Sequence, residues 1–240
     1  MQIKQFDSVN ELTTAVAKEI IESVKANPKL VLGLSTGSSP IGVYSAMVRD
    51  HKENGTSYKE VTTFNLDEYV GLEPSDVNSY RHFMNEQLFD HIDIPKEQTH
   101  VPMGIGDLVD NCKKYEEKIR AAGGIQLQLL GIGTNGHIAF NEPGASFDSL
   151  THIEQLTEDT VSANVKFFKS EDQVPRQAIT MGIQSILNCR RIILMAYGAK
   201  KAKVVKEMVE GPISPAVPAS VLQKHGDVTL FLDNESTALL

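Results

Sequence analysis

Residues 125–144 read I-Q-L-Q-L-L-G-I-G-T-N-G-H-I-A-F-N-E-P-G. The first six, Ile125 to Leu130, follow Gly123-Gly124 and precede Gly131, which predicts a short strand buried on both faces, although so brief an apolar run also suits a piece of buried helix. The second half is a loop with Gly131, Gly133 and Gly136, whose missing Cβ atoms permit positive φ and a close approach of backbone to ligand. Into it are set His137 and, five positions on, Glu142, held just ahead of Pro143. Open parallel sheets bind ligands beyond the carboxyl ends of their strands, so His137 and Glu142 are acid/base candidates facing a pocket. Taken alone, the same loop could be glycines serving turns and a histidine serving as a cap. The two readings weigh equally until the rest of the chain is added.

Working outward, strands and helices alternate. Ser8-Val9-Asn10-Glu11 has the capping-box pattern, and Leu12, Val16, Ile20 and Val24 then recur at four-residue steps, predicting an amphipathic helix that ends near Asn27-Pro28. Leu30–Leu34 reads as a buried strand that runs into Ser35-Thr36-Gly37-Ser38-Ser39-Pro40. A strand, a turn of small hydroxyl residues and a proline at the first helical position leave several amides pointing outward at the positive end of a helix dipole. That is a cradle for an anion. It lacks the lysine of a P-loop and the spacing of a dinucleotide fingerprint, so it suits a lone phosphate better than a nucleotide; an ordinary helix cap would use the same residues.

Val61–Leu66 is the next predicted strand, with Asp67-Glu68-Tyr69 at its end. One of the two carboxylates could be a base, or both could belong to a solvated loop; neighbours in an extended segment point opposite ways, so at most one faces a pocket. A helix is expected from about Ser75 to Asp90, a short strand at Thr99–Pro102, and a charged helix from Gly106 to Ala122 with Cys112 and Tyr115 inward, stopping at Gly123-Gly124. After the central stretch, Thr151–Leu156 reads as a strand and Thr157–Phe168 as helical. Arg176 lies between Pro175 and the apolar run Ala178–Met181; a guanidinium there can grip a phosphate with two parallel bonds, although a lone arginine is more simply a surface residue. Ile192–Ala196 is a further buried strand. Lys200 and Lys201 then open a helix, where cations are unfavourable unless an anion is also present, and this points to a bound phosphate. Val228–Asp233 is the last strand. Such alternation calls for an α/β fold: a single domain over residues 1–240, with a mostly parallel, doubly wound (Rossmann-like) sheet covered by helices on both faces.

Composition narrows the partners. The 240 residues carry a formal net charge of -8, which argues against general nucleic-acid or anionic-membrane binding but leaves room for a locally positive pocket. Cys112 and Cys189 lack metal-ligand spacing and fit a reducing cytoplasm. The N-terminus lacks an apolar signal region and no apolar run reaches membrane-spanning length.

Several stretches, in order along the chain, resemble the glucosamine-6-phosphate deaminase family. They are F-N-L-D-E-Y-V-G-L (64–72), N-S-Y-R-H-F (78–83), G-I-G-T-N-G-H-I-A-F-N-E-P-G (131–144), V-P-R-Q-A-I-T-M-G (174–182) and G-A-K-K-A (198–202), and the resemblance covers nearly the whole chain. It implies conversion of glucosamine 6-phosphate and water to fructose 6-phosphate and ammonia, in amino-sugar catabolism, with no metal or organic cofactor. It implies Asp67 as the carbon base, His137 as the ring-opening acid/base and Glu142 as its partner, with Asn135 beside them. The phosphate is then expected among Ser35, Thr36, Gly37, Ser38, Arg176 and Lys201. Some members carry an aspartate where this chain has Asn135, others an asparagine; a neutral amide can orient an imidazole nitrogen but cannot hold an imidazolium as a carboxylate does, which shifts that role toward Glu142. The chain ends soon after Asp233, short of the C-terminal extension of hexameric, allosterically activated members, which puts the hexamer and activation by N-acetylglucosamine 6-phosphate in doubt; a monomer or small homo-oligomer is expected. Two alternatives stand beside this reading. A 6-phosphogluconolactonase-like hydrolase would not need Asp67, and a non-catalytic sugar-phosphate sensor would not keep Asp67, His137 and Glu142 together.

Overall fold

An apolar run with no polar alternation needs cover on both sides, and in the computed structural model, which describes residues 1–240, the helices supply it. In chain order the elements are β1 (Gln2–Phe6), α1 (Val9–Ala26), β2 (Val31–Leu34), α2 (Ile41–Asn54), β3 (Thr62–Asn65), β4 (Asp67–Tyr69), α3 (Tyr80–Gln87), β5 (Thr99–His100), α4 (Leu108–Ala121), β6 (Leu127–Leu130), β7 (His152–Gln155), α5 (Glu158–Asn164), β8 (Gln177–Thr180), α6 (Ile183–Leu187), β9 (Arg191–Ala196), α7 (Ala202–Glu210) and β10 (Val228–Asp233). Seven strands make one wholly parallel sheet in the order β1-β10-β9-β6-β2-β3-β5. Alternate residues of the central strands divide the core. Leu129, Ile193, Met195 and Phe231 pack with Leu12, Val16 and Ile20 of α1 and with Val43 and Met47 of α2. Leu130, Leu194, Leu230 and Leu232 pack with Ile183 and Ile186 of α6 and with Val204, Val205 and Met208 of α7. Each such side chain contributes roughly 1.5–3 kcal/mol by leaving water, and the two layers fix the sheet between them.

The strand order places the site. From β2 the chain winds outward through β3 to β5, then returns to lay β6 on the other side of β2 and continues to β9 and β10, with the N-terminal β1 beyond β10 at the far edge. The loops leaving β2 and β6 therefore diverge, and a crevice opens at the carboxyl ends of these two strands.

Three features were not legible from the sequence. The N-terminal strand β1 pairs in parallel with β10, and Phe6 stacks on Phe231 with ring centroids 5.7 Å apart. The strand expected over residues 61–66 is β3, in the parallel sheet, but Asp67–Tyr69 beyond its end form a strand of their own: β4 joins β8 and β7 in a separate three-stranded antiparallel sheet. The helix expected from about Ser75 begins only at Tyr80, where Ser79 accepts from the His82 amide, and ends at Gln87. Other boundaries shift by a residue or two. Pro40 is the cap of α2 instead of its first residue, and Asp107 caps α4.

Candidate active site

The loops at the carboxyl ends of β2, β3, β6 and β9 wall a cleft of about 880 Å³, closed on one side by α5 and the turn that follows it. Asp67, Asn135, His137, Ser35, Thr36, Gly37, Ser38 and Lys201 all line it, together with Tyr80, Thr134, Lys166 and Lys200.

Asp67 begins β4 directly after the chain leaves the parallel sheet. Its backbone is held against Thr180 of β8, and its side chain is buried. Burial pushes its carboxyl up to about 8, the neighbouring Glu68 adds to the rise, and the Thr36 hydroxyl partly offsets it. Glu68 is buried as well, so the solvated-loop reading is excluded. Its carboxylate turns away to accept from the backbone amides of Tyr69, Tyr80 and Arg81 at 2.9, 2.9 and 3.0 Å, capping α3. One of the two carboxylates faces the cleft, as the alternation of an extended segment requires.

The β6 loop builds the second group. Gly133 donates to the His137 carbonyl at 2.9 Å, and Gly136, at φ +89°, makes the reversal that brings the imidazole back over Gly133. The ring lies so close that a Cβ at position 133 would stand 2.3–2.5 Å from three of its atoms. Ala139 has φ +52°, the one positive-φ residue other than glycine. Strain of that kind is held only where surrounding contacts over-determine it. Here Asn141 does so, its side-chain amide donating to the Ile138 and Met181 carbonyls at 2.9 Å. Glu142 follows, buried, with Oε2 3.5 Å from His137 Nδ1. Oε1 accepts from the Thr157 hydroxyl at 3.2 Å. Burial alone would raise the Glu142 carboxyl, but the donors of His137, Thr160 and Asn135 outweigh it and push it down to about 2. The Asn135 amide does not touch the imidazole. Its NH₂ donates to Glu142 Oε2 at 2.8 Å and its oxygen accepts from the His137 backbone N–H at 3.2 Å. Glu142 is thus the carboxylate partner of His137, and Asn135 holds that carboxylate in place.

At the other end of the cleft, the loop after β2 arches with Gly37 at φ +90° over the start of α2, a helix with no side-chain cap and no acidic residue in its first turn. Tyr44 fastens this loop by donating to the Ser35 carbonyl at 2.5 Å. Lys201 reaches in and donates to the Ile132 carbonyl at 2.5 Å; burial lowers its proton affinity and the ammonium of Lys166 lowers it further. Two cations held near one another in a half-closed cleft are arranged for an anion. Lys200 and Lys201 need no bound anion to offset their place at a helix start. Asp233 accepts from Gly198 N–H at 3.0 and 3.1 Å and Glu235 from Ala199 N–H at 3.1 Å, so the chain's own carboxylates already occupy that helix end.

Arg176 is not among the residues lining the cleft. It is half exposed and donates to Glu158 at 2.8 Å, with Glu171 4.0 Å away. The cation that does line the cleft from this part of the chain is Lys166, on the turn Val165–Phe167. It gives no sequence signal of its own, lying within the segment 157–168 that reads as helical. Tyr80 gives no sequence signal either, because an aromatic in a helical pattern reads as packing.

A family model described as glucosamine-6-phosphate isomerases/6-phosphogluconolactonase matches residues 4–231. The chain belongs to this glucosamine-6-phosphate isomerase/6-phosphogluconolactonase family. Within it, the chain is 49% identical to a glucosamine-6-phosphate deaminase of Geobacillus sp. (strain WCH70), covering 100% of this chain and 96% of that one. It is 48% identical to the deaminase of Halothermothrix orenii, with both chains fully covered. A solved monomeric glucosamine-6-phosphate deaminase superposes with a TM-score of 0.98 at 44% identity over the whole of both chains. The 6-phosphogluconolactonase of Trypanosoma brucei, at 21% identity and a TM-score of 0.80 over 100% of this chain and 98% of that one, shares the fold.

Proposed function

We propose that this member of the family is a glucosamine-6-phosphate deaminase that converts glucosamine 6-phosphate and water to fructose 6-phosphate and ammonia. The observation that carries the proposal is Asp67. A carboxyl buried at the floor of a cleft and raised in proton affinity is suited to taking a proton from carbon, a step that hydrolysis of a lactone does not require. Relatives about half identical over the full chain and called deaminases support the same choice over the lactonase.

The division of labour follows from the geometry. His137 Nδ1 is buried against Glu142, which leaves Nε2 to move the proton between ring oxygen and anomeric hydroxyl as the pyranose opens. Asp67 then takes the C2 proton, giving a cis-enolamine, and returns a proton to C1. Water adds at C2 and the amine leaves as ammonia. The substrate ammonium is attracted to the carboxylate end of the cleft, while the phosphate lies among Ser35, Thr36, Gly37, Ser38, Lys166 and Lys201. Binding energy at that remote, non-reacting group positions the reacting carbons.

The test is ammonia and fructose 6-phosphate measured in parallel from purified protein and glucosamine 6-phosphate. Equal formation of both is expected. No turnover on this substrate, with hydrolysis of 6-phosphogluconolactone, would replace the proposal by the lactonase reading. The superposition on a monomeric deaminase supports a single-domain monomer, expected at 26.4 kDa by light scattering. No helix is long and apolar enough to cross a membrane, and two unpaired buried cysteines favour a reducing cytoplasm.

A further inference from the structure

Glu68 has no part in the proton transfers above, yet it is 2% exposed and stands next to the base in the chain. We propose that Glu68 is a positioning residue for Asp67: its carboxylate clamps the first turn of α3 to β4 and sets a second buried carboxyl beside the base. This rests on Asp67 being the carbon base.

The clamp is visible in the bonds. Oε1 of Glu68 accepts from Tyr69 N–H and Tyr80 N–H, and Oε2 accepts from Arg81 N–H. The turns between Tyr69 and Tyr80 are thereby closed onto a single side chain. Tyr80 is held with its ring stacked at 6.1 Å on Phe140 and 4.9 Å from Tyr69, and it lines the cleft together with Asp67. The Arg81 side chain of the same turn is tied to Thr99 of β5 by bonds of 2.8 and 2.7 Å to its hydroxyl and carbonyl. One carboxylate thus connects the base strand, a cleft residue and the edge of the main sheet.

The charge is held in an uncommon way. A buried carboxylate is ordinarily paired directly with a cation, but the guanidinium of Arg81 bonds Thr99 and acts on Glu68 only through space, while two backbone amides at the start of α3 and that of Tyr69 on β4 bond Glu68. Burial outweighs these donors and raises the Glu68 carboxyl to about 7, below Asp67, so Glu68 ionises first and its charge faces Asp67 as the base titrates. The other groups facing Asp67 are Thr36 from the β2 loop, Tyr69 on β4, Tyr80 on α3 and Tyr115 on α4. His137, Asp159, Lys166, Lys200 and Lys201 also line the cleft. Glu68 is the one carboxylate among these that adjoins Asp67 on its own strand.

Glu68→Gln removes the charge and replaces one acceptor by an NH₂ that must face an amide donor. The experiment is the pH dependence of kcat/KM and kcat for glucosamine 6-phosphate with the full-length wild type and this variant. The acid limb is expected to move down by about one pH unit, with kcat at the optimum about tenfold lower and KM within about threefold. A lowered kcat with an unmoved acid limb would make Glu68 a structural support only and overturn the proposal. A variant that does not fold leaves the wild type to decide it. With Asp side-chain carboxyls labelled with ¹³C, and Asp67 assigned by its loss in Asp67→Asn, the Asp67 signal should titrate above the usual carboxylate range with a second inflection from its neighbour; a single ordinary step would overturn it. Turnover retained in Asp67→Asn would instead remove the base assignment itself, a distinct outcome.

Discussion

Replacing Gly133 by alanine tests whether the placement of His137 limits turnover. The Cβ would stand 2.3 Å from Cε1, 2.4 Å from Nε2 and 2.5 Å from Nδ1 of the ring, whereas ordinary contact begins at 3.4 Å. The imidazole must therefore retreat by about 1.1 Å, the difference between 3.4 and 2.3 Å. Gly133 does not have a positive φ, so alanine meets no backbone penalty, and the stiffer unfolded chain contributes roughly 0.4–1 kcal/mol in the other direction. The ring borders the open cleft and can yield without disturbing the core. A displacement of about 1 Å at a proton-transfer group costs on the order of 10²-fold, about 2.7 kcal/mol of barrier. We therefore expect Gly133→Ala to lower kcat about a hundredfold with KM within about threefold, because the phosphate end of the cleft is untouched, and with Tm within a few degrees of wild type. Steady-state ammonia release gives the first two quantities and calorimetry the third. A kcat within threefold of wild type would show that the ring tolerates the shift. A large fall in Tm would show that the backbone yields instead of the ring. Either result would refute the reasoning.

Asp67→Asn should reduce kcat by at least about 10³-fold and, relative to wild type, stabilise the protein increasingly as pH rises. Because the folded carboxyl is raised above its ordinary value of 3.8, its favourable contribution is complete below about pH 4 and is lost as pH climbs through the folded value near 8; urea midpoints at pH 5 and pH 9 measure the growing gap, and a constant gap would contradict the burial argument. Asn135→Asp would set an acceptor 2.8 Å from Glu142 Oε2, so that the two carboxyls share a proton and the depressed Glu142 value rises. The acid limb of kcat should move upward and kcat near pH 6.5 fall about tenfold; a superimposable profile would show that the Asn135 amide carries no weight. Lys166→Ala should raise KM for the sugar phosphate roughly 10–100-fold, as loss of a charged phosphate contact does. Arg176→Ala, breaking only exposed ion pairs with Glu158 and Glu171, should change KM less than about threefold, and the reverse ratio would return Arg176 to the phosphate site.

The sequence by itself determined the parallel α/β architecture and singled out the candidate acid/base residues. Buried strands such as Ile192–Ala196 and the spacing of Leu12, Val16, Ile20 and Val24 are local periodicities, and they report burial directly. The glycine-rich loop that carries His137 and Glu142 was legible for a similar reason, since turns and sharp reversals depend on which residues lack a Cβ. Tertiary structure alone decided three things. It set the partner of His137 as Glu142, steadied by Asn135 through a bond to the carboxylate and not to the ring. It made Asp67–Tyr69 a strand of a second sheet, placing Asp67 at the corner between two sheets, because the partner of β4 is β8, some 110 residues later in the chain. It exchanged Arg176 for Lys166 at the cleft, because a cation's direction depends on which carboxylates the fold brings near it, and Glu158 and Glu171 are near Arg176. Burial leaves a signature at each position, whereas a side chain's partner depends on where the rest of the chain is folded.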